Sequence, residues 1–181
     1  MNFTSHQEEK MTTESTDIVK MLAEQRANFL ITVRGITDEQ ARTRTTASEL
    51  TLGGLLHHVV SNERHWMKVI ADLDETAEFD MASAGGEYVM GDEETVAGLI
   101  SEWEEVARST TDALATLDLN LSVPVPTAPW APERIWQTAR FTVLHILREI
   151  SQHAGHADII REELDGANTT QTWASEAGMS F

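Results

Sequence analysis

Apolar residues recur at spacings of three and four along separate stretches of this chain, a pattern that predicts four long amphipathic helices. The first stretch sets Ile18, Met21, Leu22, Phe29 and Val33 on one face, with Ser15 or Thr16 as N-cap and Gly35 as the stop. A polar connection over 37–46 leads to the second, from Ser48 as cap to Leu73, carrying Leu52, Leu55, Leu56, Val59, Val60, Trp66 and Ile70. The segment 72–91 is acidic and has no strong period, which predicts a surface loop with short helical turns and makes it the expected lid. Asp92 then caps a third pattern through Val96, Leu99, Ile100, Trp103, Val106, Leu114 and Leu117. The last starts near Trp136 and runs through Phe141, Leu144, Ile146, Leu147, Ile150, Ile159, Ile160 and Leu164 to Gly166, a residue suited to a left-handed C-terminal cap.

Between the third and fourth patterns the chain changes character. Leu121, Val123 and Val125 alternate, and Pro124, Pro126, Pro129 and Pro132 reject helix, so an extended crossover is expected before the last helix. The expected architecture is an all-α four-helix bundle over 15–166, with a flexible extension at 1–14 and an unassigned tail at 167–181 in which Trp173 packs. A chain of 181 residues with 41% hydrophobic residues suits one core.

Charge narrows the partners. A formal charge of -17 repels phosphate backbones and anionic lipid surfaces, so neither nucleic acid nor a membrane is expected. No apolar run reaches the roughly 20 residues that span a bilayer, and the start lacks a basic and then apolar leader, so the expected location is the cytoplasm. With no Cys in the chain, thiolate ligands and an internal thiol nucleophile are excluded, and sulfur chemistry must use a thiol from outside.

Six of the seven His fall on two predicted helices: His57, His58 and His65 on the second, His145, His153 and His156 on the fourth. Glu149 precedes His153 by four residues, which stacks the two side chains about 5 to 6 Å apart at Cβ, close enough for one ion to bridge. His145, Glu149 and His153 form a ladder about 12 Å long, too extended for all three to bind one ion, so a facing helix must complete the site. Residues 57 and 58 point about 100° apart, and spacing does not choose between them, although His58 is the natural partner. The same spacing also serves surface pairs and buried hydrogen bonds, but the apolar neighbours Leu144, Ile146, Leu147 and Ile150 make an unpaired His and Glu costly. His65, about 10 Å along from His58, is expected to make a core or interhelix hydrogen bond; His156 is expected to cap packing or meet solvent, the alternative being that it replaces His145 in supporting a ligand.

At Leu52-Gly53-Gly54-Leu55-Leu56-His57-His58-Val59, Glu63-Arg64-His65-Trp66, Pro129-Trp130, Thr142 through Glu149 and His153 through Gly166, the chain resembles the DinB-like superfamily. The resemblance is to its small actinobacterial branch, related to mycothiol-dependent maleylpyruvate isomerase and mycothiol S-transferases, and covers roughly residues 15 to 170. In that pattern the ligand His follows the second Gly of a Gly-Gly pair by four residues, which implies His58, and a Glu and His four apart imply Glu149 and His153. The usual acidic pair of the last helix appears here as Arg148-Glu149, and nothing after Gly166 is long enough for the isomerase's second domain.

The resemblance implies a divalent metal, zinc by default and nickel, iron or manganese otherwise, on His58, Glu149 and His153. It further implies mycothiol or a similar thiol as cosubstrate and transfer of its sulfur to an electrophilic small molecule, or thiol-assisted isomerisation. Arg140 and Arg148 are the expected cofactor-binding cations. Two alternatives use the same ligands: a hydrolase that activates water with Glu63 as base, and a non-catalytic metal-stabilised binding module, with a homodimer through helix faces as its assembly.

Overall fold

The structure, a computed structural model, describes residues 11–81 and 84–179. The first ten residues of the expected N-terminal extension lie outside the described residues. Four long helices form a bundle: α1 (Thr13–Thr32), α3 (Leu52–Asp72), α4 (Val96–Leu114) and α5 (Ala139–Asp165). Short helices α2 (Asp38–Arg42) and α6 (Thr169–Glu176) flank them.

Each of these helices starts at a side chain that accepts a backbone N–H left free in the first turn. Thr12, Thr37, Thr51, Thr95, Thr138 and Asn168 fill this role. The expected caps were therefore displaced by three or four residues. Ser48 instead receives the Leu50 N–H in a bend, and Asp92 lies in the turn before α4, because a run of Ser, Thr and Asp offers several equivalent oxygens and only the chain's exit direction selects one. Gly166 ends α5 at φ 81°, as its position predicts.

The core is filled where the patterns converge: Leu22, Phe29, Leu52, Leu55, Leu56, Val59, Trp103, Leu114, Ile146 and Ile150 are fully buried. α5 packs on α1 and α3, and α4 closes the bundle against α3 and α1. Inside this apolar frame, Glu63 of α3 accepts from Arg26 of α1 (3.0 and 2.5 Å), from the Trp103 indole (2.9 Å) and from Thr110 of α4 (2.6 Å). One buried carboxylate thus ties three helices, and its charge is tolerable only because every donor is in place.

The proline-bearing crossover is extended as expected, but it also makes a ribbon. β1 (Ser122–Pro124) pairs antiparallel with β2 (Trp136–Thr138), Val123 opposite Gln137, so Trp136 belongs to a strand and α5 begins at Ala139. The crossover is stitched to the acidic loop: Phe79 N–H donates to Thr127 O (2.8 Å), and Arg134 reaches Val125 O and Ala77 O (both 2.9 Å). The tail carries α6, where Ala174 packs inward while Trp173 stays half exposed with its indole N–H on Asn28 (3.1 Å). No helix among the described residues is long and apolar enough to cross a membrane.

Candidate metal centre

α3 and α5 bring His58, Glu149 and His153 together, with one ligand atom of each lying within 4.8 Å of the others. Glu149 and His153 share a face because four residues make about one turn, and His58 enters from the facing helix. The Glu149 Oε2 atom stands 3.7 Å from His58 Nε2 and 3.5 Å from His153 Nε2. Its other oxygen, Oε1, accepts from Arg148 (2.8 Å) and lies 3.7 Å from His145 Nδ1. The carboxylate is thereby divided, one oxygen facing the two imidazoles and one held outside. His156 Nδ1 sits 3.2 Å from His153 Nδ1, leaving Nε2 turned to the trio.

Charge states follow from burial. Desolvation pushes the His153 pKa down to about 4, helped by the neighbouring His58, and burial likewise lowers His58 and His145. Burial works to raise Glu149, but the Arg148 hydrogen bond and the neighbouring His145 and His153 outweigh it, and the group stays below its ordinary value. At neutral pH the trio is therefore two neutral imidazoles and a carboxylate, the forms that ligate metal. His58 Nε2 is buried and has no hydrogen-bond partner among the described residues, a costly state that a cation between the three residues would relieve. The residues present fit a divalent ion.

The two adjacent histidines separate as helix geometry requires. His57 Nδ1 meets Glu94 Oε1 at 2.8 Å, outside the trio, so the tertiary structure selects His58. His145 is excluded from the trio by distance along α5 and stacks edge-on with Trp66 at 5.0 Å. His65 is exposed and packs against Trp66 rather than making the expected interhelix hydrogen bond, and His156 partners His153, the alternative of supporting a ligand rather than meeting solvent.

The structure also places the three other expected site residues. The Glu63 carboxylate lies fully buried away from the trio, engaged by Arg26, Trp103 and Thr110. Arg140 pairs with Glu14 (2.5 Å) and Asn120 (2.9 Å) at the start of α5, nine residues and roughly 13 Å of helix from Glu149. Arg148 does stand at the site, but there it holds Glu149 and His145 (2.7 Å).

Tyr88 was not anticipated. It lies on the expected lid, its ring stacked on His58 with centroids 4.2 Å apart and planes 19° from parallel, and 5.6 Å from His153. The Gly pair at the head of α3 makes this approach possible: a Cβ at Gly54 would collide with the Tyr88 carbonyl, and one at Gly53 would meet Met90 Sδ at 2.5 Å. Arg42 secures the segment through Gly91 O and Glu94 O (both 2.7 Å), and Glu94 accepts the Gly91 N–H (2.7 Å). The sequence signal was the Gly-Gly pair itself, which marks a close backbone approach without naming what approaches.

The fold and site define a class, helical bundles that present a His-Glu-His trio between facing helices. Within it the chain belongs to the mycothiol-S-transferase family, whose sequence pattern matches residues 17–166. The fold is shared with a conserved protein from Enterococcus faecalis at a TM-score of 0.62 and 16% identity, covering 86% of this chain and 99% of that one. It is also shared with YfiT from Bacillus subtilis, described as a probable metal-dependent hydrolase with an unusual four-helix bundle topology (TM-score 0.51, 16% identity, 99% and 97% coverage). A comparison with curated proteins finds no match.

Proposed function

We propose that this protein is a metal-dependent S-transferase that joins a low-molecular-weight thiol, mycothiol or a similar compound, to an electrophilic small molecule. The observation that carries the reading is the buried, unpartnered His58 Nε2 within 4.8 Å of Glu149 and His153, in a chain of the mycothiol-S-transferase family. His58, Glu149 and His153 would hold the ion, with zinc the first choice for a His2Glu set. A divalent ion held there would lower the pKa of a bound thiol from about 8.5 and so supply thiolate, the nucleophile, at neutral pH.

The chain's own residues do the rest. Arg148 fixes the Glu149 carboxylate, His156 fixes the His153 ring, and Tyr88 covers the His58 ring and limits the approach of water. The new bond forms between the thiol sulfur and an electrophilic carbon, the thiol proton passes to solvent, and the displaced electron pair stays on the electrophile or leaves with a departing group. The absence of Cys suits this chemistry, because no internal thiol competes for the ion. A reduced thiol pool places the reaction in the cytoplasm.

The description of YfiT supports a second reading, hydrolysis by activated water on the same trio. That reading loses its base in this chain, since Glu63 is sequestered in the core. The deciding experiment measures metal content of untagged wild type and His153→Ala, then turnover of an epoxide and of an ester with and without added mycothiol. Near-stoichiometric metal lost in the variant, with turnover dependent on thiol, supports the transferase. Ester cleavage that ignores thiol supports the hydrolase, and no retained metal in either protein defeats both.

A further inference from the structure

Among the described residues, two buried side-chain polar atoms lack a hydrogen-bond partner: His58 Nε2 and Asn62 Oδ1. They lie one turn apart on the same face of α3, about 5 to 6 Å between Cβ atoms. The first is accounted for by the trio. The second is not, and a buried carboxamide oxygen left without a donor is destabilising in the free protein.

Its surroundings locate it. His58 meets Glu149 and His153, and eight residues further on, Trp66 meets His145, which precedes His153 by eight residues. The two helices therefore run antiparallel along this seam, and Asn62 lies midway between the trio and the Trp66–His145 aromatic pair, about 6 Å of helix from each end. Tyr88 closes the other side of His58. The seam leads from the trio past an unsatisfied acceptor to an aromatic end.

We propose that Asn62, with Trp66 and His145 beyond it, forms a ligand subsite beside the metal trio. There Asn62 Oδ1 accepts a hydrogen bond from an N–H or O–H lying three or four bonds from the ligand's sulfur. The Trp66–His145 pair then receives the apolar part of the same ligand. The assignment rests on the thiol reading above and adds the residue that distinguishes amide-bearing β-aminothiols from simple alkyl thiols.

The test uses full-length protein loaded with cobalt, whose sulfur-to-metal absorption band reports thiol binding directly and without turnover. The probes are N-acetylcysteamine and 2-mercaptoethyl acetate, equal in shape except that an ester oxygen replaces the amide N–H. Wild type is expected to bind the amide about tenfold more tightly, the effect of one buried hydrogen bond, and Asn62→Leu to bind the two within twofold at unchanged cobalt loading. Equal affinities in wild type, or a preference that survives in Asn62→Leu, overturn the subsite while leaving the metal and thiol reading intact. If loaded wild type binds neither thiol, the thiol reading fails, and the subsite is judged with acetohydroxamic acid against its N-methyl derivative: loss of the N–H preference in Asn62→Leu supports it, and its persistence or absence in wild type overturns it. Metal-free Asn62→Leu should melt roughly 2–4 °C above wild type, since an orphaned acceptor is removed, and a fall of that size would show that the amide serves packing.

Discussion

The Tyr88 ring lies over the His58 imidazole, centroids 4.2 Å apart and planes 19° from parallel, although the two residues belong to a loop and to the second long helix. The contact depends on Gly54, whose missing Cβ leaves room for the Tyr88 carbonyl. Gly54→Ala is expected to displace the loop and destabilise the protein by about 1–3 kcal/mol, the usual range for an overpacked site. Tyr88 is the chain's single tyrosine, so its ring resonances report the displacement without ambiguity, and resonances unmoved in Gly54→Ala would refute the close-approach role.

Arg148 holds Glu149 Oε1 at 2.8 Å while Oε2 faces the imidazoles. Arg148→Ala should weaken metal binding by about 10–100-fold, typical for loss of a group that orients a ligand, and His153→Ala should abolish stoichiometric binding. Competition with a chromogenic chelator measures both, and equal affinity in Arg148→Ala and wild type would remove the orienting role.

Glu63 is fully buried and joins α1, α3 and α4 through Arg26, Trp103 and Thr110. Arg26→Ala leaves its charge buried and short of its strongest donor, and unfolding stability should fall by about 3–5 kcal/mol in a urea titration. Metal affinity of the folded fraction should remain within a few-fold of wild type. A stable variant with wild-type urea midpoint would show that the Glu63 cluster does not hold the three helices together.

Stability of the metal-free protein should depend on pH through His153. Its folded pKa of about 4 lies below the ordinary 6.5 of an unfolded chain, so the unfolded state binds the proton first. The contribution is fully present above pH 6.5 and is lost as pH falls toward 4, and His58, lowered in the same direction, adds to the slope. Thermal melts from pH 7.5 to 4 should fall, with a smaller loss in His153→Ala over the same window. A loss of equal size in both proteins would place the titration elsewhere.

The sequence by itself determined that the chain is a helical bundle, because four runs of apolar residues at helical spacing have no other way to bury their faces. It also determined that Glu149 and His153 stack on one face, since that relation is local to a single helix. Caps were misplaced by about a turn, because several neighbouring Ser, Thr and Asp oxygens serve equally well until the chain's direction is known. Helix spacing left His57 and His58 equivalent and the family pattern implied His58; the tertiary structure turned His57 to Glu94, divided the Glu149 carboxylate between Arg148 and the trio, and withdrew Glu63 into the core with Arg26. It alone placed Tyr88 on His58 and left Asn62 Oδ1 without a donor among the described residues. These outcomes depend on which helix faces which and on residues tens of positions apart, and the spacing of residues along one helix carries no record of the surface it meets.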